Sequence, residues 1–225
     1  MSSTYNIAID GPAGAGKSTI AKLVAAKLGF IYVDTGAMYR AMALYFLENG
    51  IQPEDEAKVS AACGQIDISL RYQDGVQQVI LNGEDVSGKI RTEAVGNAAS
   101  VVSAYRAVRQ ALLALQQNLA KTSNVIMDGR DIGTCVLPEA QTKIYLTASS
   151  HVRAIRRYKE LTEKGQMCNL EEIEQDIIDR DYRDMHREIA PLTQAADAVL
   201  LDSSALTIDQ VVDGIITAAR ERGLA

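Results

Sequence analysis

Short apolar segments alternate with longer amphipathic segments along this chain. Five of the apolar segments are too short to form helices and are bounded by polar residues or glycine. They are YNIAID (5–10), FIYVD (30–34), NVIMD (124–128), KIYL (143–146) and AVLLD (198–202). Continuous apolar runs of this length are typical of strands that are buried on both faces of a parallel sheet.

Helical spacing of apolar residues marks the segments between these strands. Helices are predicted over about 18–28, 36–49, 92–121, 169–181 and 207–222. Gly29 and Gly50 follow the first two, where a C-terminal cap belongs. Asn169 and Glu172 form a variant of the capping box at the start of the fourth. Strands that alternate with helices predict a doubly wound α/β fold, with a five-stranded parallel sheet flanked by helices.

One segment, 66–90, follows a period of two instead. Polar and apolar residues alternate in IDISLRY, and the pairs Asp-Gly (74–75) and Asn-Gly (82–83) are hairpin turn signals. We therefore expect a small antiparallel β insertion. The alternative is a set of extra strands in the main sheet, which is less favoured because hairpins seldom interrupt βαβ units.

Composition is that of an ordinary globular chain. The 225 residues are 47% hydrophobic and 23% charged, so a single domain with one large core is expected. The net charge of −6 argues against non-specific nucleic-acid binding. Any anion site must therefore use locally placed arginines and backbone donors. Nothing in the sequence suggests an obligate oligomer, and a monomer is expected.

Targeting and redox signals point to the cytoplasm. The segment MSSTYNIAID has no basic flank or long apolar core, and no run approaches the ~18 apolar residues of a membrane helix. Neither a signal peptide nor a membrane association is therefore expected. The three cysteines, at 63, 135 and 168, have no CxxC spacing, and we interpret them as small reduced residues without a zinc site.

A phosphate-binding motif links the first strand to the first helix. GPAGAGKS (11–18) matches GxxxxGK[ST] in the context that the motif requires. Glycines let backbone N–H groups curl around a polyphosphate, and the helix N-terminus adds partial positive charge. Lys17 can reach the β and γ oxygens of a nucleoside triphosphate, and Ser18 can ligate Mg²⁺. The predicted ATP site comprises Gly11, Pro12, Ala13, Gly14, Ala15, Gly16, Lys17, Ser18 and Thr19. A plain glycine-rich turn or a sugar-phosphate cradle is the alternative.

The third strand ends in an acidic residue, Asp128, of the Walker-B type. Such a carboxylate can hold Mg²⁺ through water, so Asp128 joins Ser18 as a candidate metal ligand. A structural carboxylate that caps the following turn is the alternative.

Arginines follow the ends of several predicted strands. Arg40 comes after the second strand and Arg130 after the third, at the sheet edge where α/β proteins bind ligands. Arg180, Asp184 and Arg187 share one helix face. Arginine forks suit a monophosphate, so these residues predict a second phosphate site opposite the cradle. Salt bridges on a solvated helix face are the alternative for this helix, although they explain Arg40 and Arg130 poorly.

The later motifs, together with the phosphate loop, resemble those of the bacterial cytidylate kinases, which are nucleoside monophosphate kinases, in order and along nearly the whole chain. The motifs are DTGAMYR (34–40), NGEDVSGKIRTEAVGNAAS (82–100), VR (108–109), DGRDIGT (128–134), RDYRDMHREIAPL (180–192) and AADAVLLDSS (195–204). The resemblance implies transfer of phosphate from ATP to CMP or dCMP with Mg²⁺. It also implies a core of residues 1–60, 91–150 and 170–225, an acceptor-binding insertion at about 61–90 and a LID at about 151–168.

The same resemblance implies roles for individual residues. Thr35, where many relatives have serine, and Tyr39 line the acceptor site. Ser100, Arg109 and Asp131 contact the cytosine, Arg40, Arg130 and Arg187 bind the acceptor phosphate, and Arg180 and Asp184 bind sugar or acceptor. Lys17, Arg130 and Arg187 are the implied catalytic residues, and Arg157 joins the ATP site.

Residue chemistry supports this set. Cytosine differs from uracil in an exocyclic amine, which an aspartate can accept, and in a ring acceptor, to which arginine or serine can donate. A phosphate oxygen already carries charge and needs no strong general base, so the expected surface or structural roles of His151 and His186 are no objection. Two alternatives stay open: a kinase for another acceptor, such as UMP or shikimate, and a P-loop switch or ATP-sensing module. The chain lacks an Asn-Lys-x-Asp guanine motif, which argues against the switch.

Overall fold

The computed structural model describes residues 4–224. Its strands are β1 (Asn6–Asp10), β2 (Ile31–Asp34), β3 (Ile68–Gln73), β4 (Val76–Leu81), β5 (Glu84–Asp85), β6 (Val125–Gly129), β7 (Thr142–Thr147) and β8 (Val199–Asp202). Its helices are α1 (Lys17–Leu28), α2 (Thr35–Glu48), α3 (Glu56–Ala62), α4 (Glu93–Val102), α5 (Arg106–Thr122), α6 (Ser150–Glu163), α7 (Leu170–His186) and α8 (Ile208–Glu221).

Five strands form one parallel sheet in the order β2-β6-β1-β7-β8. The predicted fold class is therefore confirmed, and each predicted apolar segment overlaps one of these strands. Parallel pairing of β1 with β6 runs from Asn6 opposite Val125 to Asp10 opposite Gly129. The loops that follow β1 and β6 consequently emerge side by side at the carboxyl edge of the sheet, where ligands of α/β proteins bind.

The insertion is a separate antiparallel sheet of three strands in the order β3-β4-β5. The prediction of a hairpin insertion is confirmed, and the alternative of extra strands in the main sheet is wrong. Asp74 and Gly75 have φ of 51° and 76°, and Asn82 and Gly83 have φ of 48° and 88°. Positive φ at both central residues is the type I′ hairpin geometry that Asp-Gly and Asn-Gly favour.

The prediction of one continuous helix over 92–121 is wrong. The segment forms α4 and α5, with a turn at residues 103–105 between them. The Ser103 hydroxyl donates to the carbonyl of Ser100 at 3.0 Å, and the Tyr105 hydroxyl donates to the carbonyl of Pro53 at 3.0 Å. These bonds hold a turn in a segment whose apolar spacing alone favours a helix.

The sheet separates two hydrophobic cores. One contains side chains of α1 and α8, and the other contains side chains of α2, α4, α5 and the insertion. Alternation along β1 sends Ile7 and Ile9 into the first core and Ala8 into the second. Helices α6 and α7 pack against each other. Between residues 4 and 224, no helix is long and apolar enough to cross a membrane.

Candidate active site

The loop between β1 and α1 has the backbone of a phosphate cradle. Gly11, Gly14 and Gly16 have φ of 149°, 73° and 87°, a region that residues with a Cβ rarely adopt. A Cβ at Gly11 would overlap the carbonyl oxygen of Leu146 on the neighbouring strand. Glycine is therefore required at the first position of the loop for steric reasons as well as conformational ones.

Lys17 is buried inside this loop. Its Nζ donates to the carbonyls of Gly11 and Pro12, each at 2.7 Å. Burial, together with the charge of Arg130, lowers the pKa of Lys17 to about 7. A bound polyphosphate would supply the counter-charge that this buried ammonium lacks.

Ser18 and Asp128 meet at the start of α1. The Ser18 hydroxyl donates to Asp128 Oδ2 at 2.9 Å, and the Tyr32 hydroxyl donates to Asp128 Oδ1 at 2.9 Å. Burial, and then the charge of Asp34, raises the pKa of Asp128 to about 6. A hydroxyl and a carboxylate beside a phosphate cradle are oxygen ligands of the type that Mg²⁺ prefers, so the two residues fit the ion that the sequence resemblance implies.

A cluster of charged residues surrounds Asp131, in the loop that follows β6. Asp131 forms ion pairs with Arg109 from α5 and, at 3.4 Å, with Arg187 at the end of α7. The Arg109 guanidinium also lies 5.7 Å from the centre of the Tyr39 ring. Arg187 donates further to the Ser103 hydroxyl at 3.4 Å. Asp131 is 4% exposed, so its carboxylate offers a buried acceptor flanked by two arginine forks.

A second cluster contains Arg130, Arg180 and Asp184. Arg130 Nε donates to Asp184 Oδ2 at 2.8 Å. Arg180 forms no ion pair with another described side chain, and its buried Nε has no hydrogen-bond partner among residues 4–224. Burial and the charge of Arg130 lower the pKa of Arg180 to about 10. Two partly buried guanidiniums and one carboxylate leave an excess of positive charge that suits an anion.

Arg40 and Thr35 lie beside the end of β2. Arg40 pairs with Asp34 at 3.1 Å, and its buried Nε has no partner within the described chain. Asp34 also accepts from Arg91 at 3.2 Å. The Thr35 hydroxyl donates to the carbonyl of Asp128 at 2.7 Å, so in this conformation it links β2 to β6.

Helices α6 and α7 cover the phosphate loop through Arg153. Its guanidinium pairs with Asp181 on α7 at 2.7 Å and donates to the carbonyl of Ala13 in the loop at 2.9 Å. Both side chains are largely buried, at 6% and 12% exposure. Arg157 is half-exposed and pairs with Glu160 at 2.9 Å. Arg156 donates to the carbonyl of Ser203 at 2.8 Å, which connects α6 to the loop after β8.

Most of these groups line one cavity of about 790 Å³. Nine of the residues that line it are lysine or arginine and five are acidic, so its wall carries an excess of four positive charges. The cavity brings together every predicted site residue except Gly11 and Pro12, whose carbonyls bind Lys17. Although the chain as a whole is acidic, the wall of this cavity is therefore strongly cationic.

Sequence reasoning missed two aspartates of this site. Asp34 holds Arg40, and Asp10 accepts from the backbone N–H groups of Ile132 and Gly133 at 2.8 and 2.7 Å. The sequence does carry a signal for them, because β1, β2 and β6 each place an aspartate at the same edge of the sheet. The predicted Arg157 lines the cavity beside Arg153 and Arg156 of the same helix, for which no role was predicted.

The loop after β8 and the start of α8 form a further wall that the sequence did not indicate. Ser203, Leu206, Thr207, Ile208 and Val211 line the cavity there. No motif marks these residues, since their place at the site follows from the position of β8 at the far edge of the sheet. The two histidines do not line the cavity. His151 pairs with Glu174 at 2.9 Å, a partner not evident in the sequence, and His186 stacks on Tyr182.

Comparisons with known proteins agree with this geometry. The sequence model of the family described as Cytidylate kinase matches residues 7–221. The cytidylate kinase of Caldicellulosiruptor bescii is 52% identical over 211 residues, covering 94% of this chain and 93% of that protein. The cytidylate kinase of Leuconostoc mesenteroides is 51% identical over 208 residues, covering 92% and 93%. That of Ligilactobacillus salivarius is 49% identical over 222 residues, covering 99% of both chains. The chain therefore belongs to the cytidylate kinase family.

Proposed function

We propose that this protein transfers the γ-phosphate of ATP to CMP or dCMP, giving ADP and CDP or dCDP. The observation that carries the proposal is the single cavity that has a phosphate cradle on one wall and Asp131, with its arginines, on another. A nucleotide switch needs only the first of these walls. Membership of the cytidylate kinase family supports the second wall as a site for the acceptor.

The donor half is assigned to the loop at residues 11–16 and the first turn of α1. Backbone N–H groups and the ammonium of Lys17 bind the β- and γ-phosphates. Ser18 and Asp128 would hold Mg²⁺, which when bound neutralises charge on the phosphate oxygens. Arg157, half-exposed on α6, is assigned to the donor phosphates as well.

The acceptor base is assigned to the cluster around Asp131. The Asp131 carboxylate accepts from the exocyclic amine of cytosine, while Arg109 and Ser100 donate to the ring acceptors. Uracil presents a carbonyl in place of the amine, and a buried carboxylate facing that carbonyl would lack a donor. This difference favours CMP over UMP.

The acceptor phosphate and sugar are assigned to Arg40 and to the second cluster. Arg40, Arg130 and Arg180 present partly buried guanidinium groups to the cavity, and Asp184 orients Arg130 through its 2.8 Å hydrogen bond. Arg187 was also predicted to bind this phosphate, but here it lies against Asp131 at 3.4 Å. Its phosphate role stays a prediction.

The reaction needs positioning and charge neutralisation more than proton transfer. An oxygen of the acceptor phosphate attacks the γ-phosphorus, and the bond from that phosphorus to the β–γ bridging oxygen breaks. The electron pair leaves with ADP. Lys17 and the arginines stabilise the negative charge that gathers on the transferred group. We expect closure of the insertion and of the LID at about 151–168 to exclude water and prevent hydrolysis of ATP.

An assay of ADP formation across acceptors tests the proposal. CMP and dCMP should be turned over faster than UMP, AMP or shikimate, and the product with CMP should be CDP. Lys17→Ala should lower kcat about 10³-fold with the fold intact, because it removes a charge from the reacting phosphates. Faster turnover of shikimate or AMP, or nucleotide-dependent behaviour without CDP, would refute the assignment.

A further inference from the structure

Strand β2 lies at the edge of the main sheet, where its outer peptide groups have no neighbouring strand. Two side chains of the insertion form hydrogen bonds with these peptide groups instead. The Tyr72 hydroxyl donates to the carbonyl of Tyr32 at 3.2 Å. The Gln77 carboxamide accepts from the N–H of Asp34 at 2.9 Å and donates to the carbonyl of Asp34 at 3.3 Å. Edge strands of natural sheets are usually covered, and here side chains provide the cover.

These side chains bond to the backbone of β2 at the positions where an additional strand would pair with it. Tyr72 and Gln77 are directly opposite each other in the register of β3 and β4. This cross-strand pair therefore contacts Tyr32 and Asp34, which are alternate residues of β2. A carboxamide presents one donor group and one acceptor group, as a peptide unit does, so Gln77 satisfies both backbone groups of Asp34. We refer to Tyr72 and Gln77 together as the clasp.

Both residues that the clasp holds contact residues of the site through their own side chains. The Asp34 carboxylate accepts from the N–H of Ala37 at 2.8 Å and pairs with Arg40 at 3.1 Å. Tyr32 donates to Asp128 at 2.9 Å. Asp34 is 5% exposed, so a shift of its backbone moves a buried carboxylate and the arginine attached to it. Neither clasp residue lines the cavity itself.

We propose that Gln77 is a positioning residue for the acceptor half of the site. It fixes the end of β2 and thereby the orientation of Asp34 and Arg40. The inference rests on the proposed function, since Arg40 matters to the reaction only if it binds the acceptor phosphate. By fixing the end of β2, the insertion then has a structural role at the sheet edge that is separate from any contact with substrate.

The experiment compares Gln77→Leu with Gln78→Leu. Gln78 is the next residue of the same strand, and Gln73 is the one hydrogen-bond partner of its carboxamide among residues 4–224. Loss of the two hydrogen bonds of Gln77 should raise the KM for CMP about tenfold, which corresponds to about 1.4 kcal/mol. The KM for ATP should stay within about twofold, because the cradle does not contact the clasp. The Gln78→Leu variant should behave as the wild type.

Amide hydrogen exchange provides a readout of the clasp itself. The N–H of Asp34 should exchange about tenfold faster in Gln77→Leu, and no faster in Gln78→Leu, because only the first loses its acceptor. If Gln77→Leu fails to fold, Tyr72→Phe removes one hydrogen bond and should raise the KM for CMP two- to threefold, on the order of half a kcal/mol.

Three results would overturn the proposal. They are an unchanged KM for CMP, an equal rise in KM for CMP and ATP, and a lower Tm without any change in kinetics. The proposed function has its own test in the wild type. If the wild type forms no CDP, the proposed function fails whatever the variants do; if it forms CDP and Gln77→Leu matches it, only the positioning role fails.

Discussion

The Ser18 hydroxyl donates to the carboxylate of Asp128 at 2.9 Å, although 110 residues separate them in the chain. The bond joins the phosphate loop to the end of the neighbouring strand. Mg²⁺ takes oxygen ligands of these two kinds. The same carboxylate accepts from Tyr32, so its orientation is fixed from two sides.

Asp128→Asn should therefore weaken the binding of Mg²⁺. We expect the half-saturating Mg²⁺ concentration for turnover to rise about tenfold, because an amide has one acceptor oxygen and no charge. Titration of Mg²⁺ at fixed ATP measures the shift. An unchanged Mg²⁺ dependence with lowered stability would favour the alternative that Asp128 only caps the turn after β6.

Asp131→Asn should alter the choice of base. An amide can donate to the O4 carbonyl of uracil, so the preference for CMP over UMP should fall by about 10- to 100-fold, in the range of a lost charged hydrogen bond. The variant also leaves Arg109 and Arg187 without their shared counter-charge. The ratio of kcat/KM for the two acceptors is the measurement. A constant ratio would remove Asp131 from base recognition.

Asp181→Ala should destabilise the fold substantially. It leaves the guanidinium of Arg153 buried without a counter-charge, and breaking a buried pair costs about 3 kcal/mol. The control is Glu160→Ala, which breaks exposed pairs with Arg157 and Lys164 and should cost less than about 1 kcal/mol. Urea unfolding of both variants at one pH gives the comparison. Equal losses would show that burial does not set the strength of the Arg153 pair.

Asp10 should make stability depend on pH in the acid range. Burial and the charge of Asp131 raise its pKa to about 6, although the N–H groups of Ile132 and Gly133 and the charge of Lys17 act against the rise. In the unfolded chain the same carboxyl titrates near about 3.9. Between these values the folded state holds the extra proton, so its contribution to stability falls as the pH rises from about 4 to 6.

Asp10→Asn should abolish that part of the pH dependence. Relative to the variant, the wild type should lose on the order of 2 kcal/mol of unfolding free energy between pH 4 and 7. Urea unfolding of both proteins at several pH values measures the difference. A difference that does not change with pH would contradict the raised pKa of Asp10.

Sequence patterns predicted much of the fold because strands and hairpin turns depend on residues that are close together in the chain. Short apolar runs bounded by glycine or polar residues identified the five central strands, and Asp-Gly and Asn-Gly identified the hairpins. The break between α4 and α5 could not be predicted in this way. It depends on the hydrogen bond from Tyr105 to Pro53, which is 52 residues away in the chain.

The candidate site likewise combines local features, which the sequence predicts, with tertiary contacts, which it does not. Strand-end arginines and the phosphate loop were visible in the sequence, because position at a strand end is a local property. The pairing of Arg130 with Asp184, and of Gln77 with the backbone of Asp34, depends on tertiary packing. Neither partner is marked by spacing, since a helix face or a strand period does not specify what lies opposite it.

The two hydrophobic cores have a consequence for how this architecture can change. Lys17, Ser18 and the first residues of α8 rest on the core beneath α1 and α8, whereas Tyr39, Ser100 and Arg109 project from helices of the opposite core. The sheet therefore separates the core that supports the phosphate cradle from the core that supports these three acceptor-site residues. The part of the acceptor site that α2, α4 and α5 carry can therefore change with the packing of one layer, while the layer that carries the phosphate cradle is left as it is.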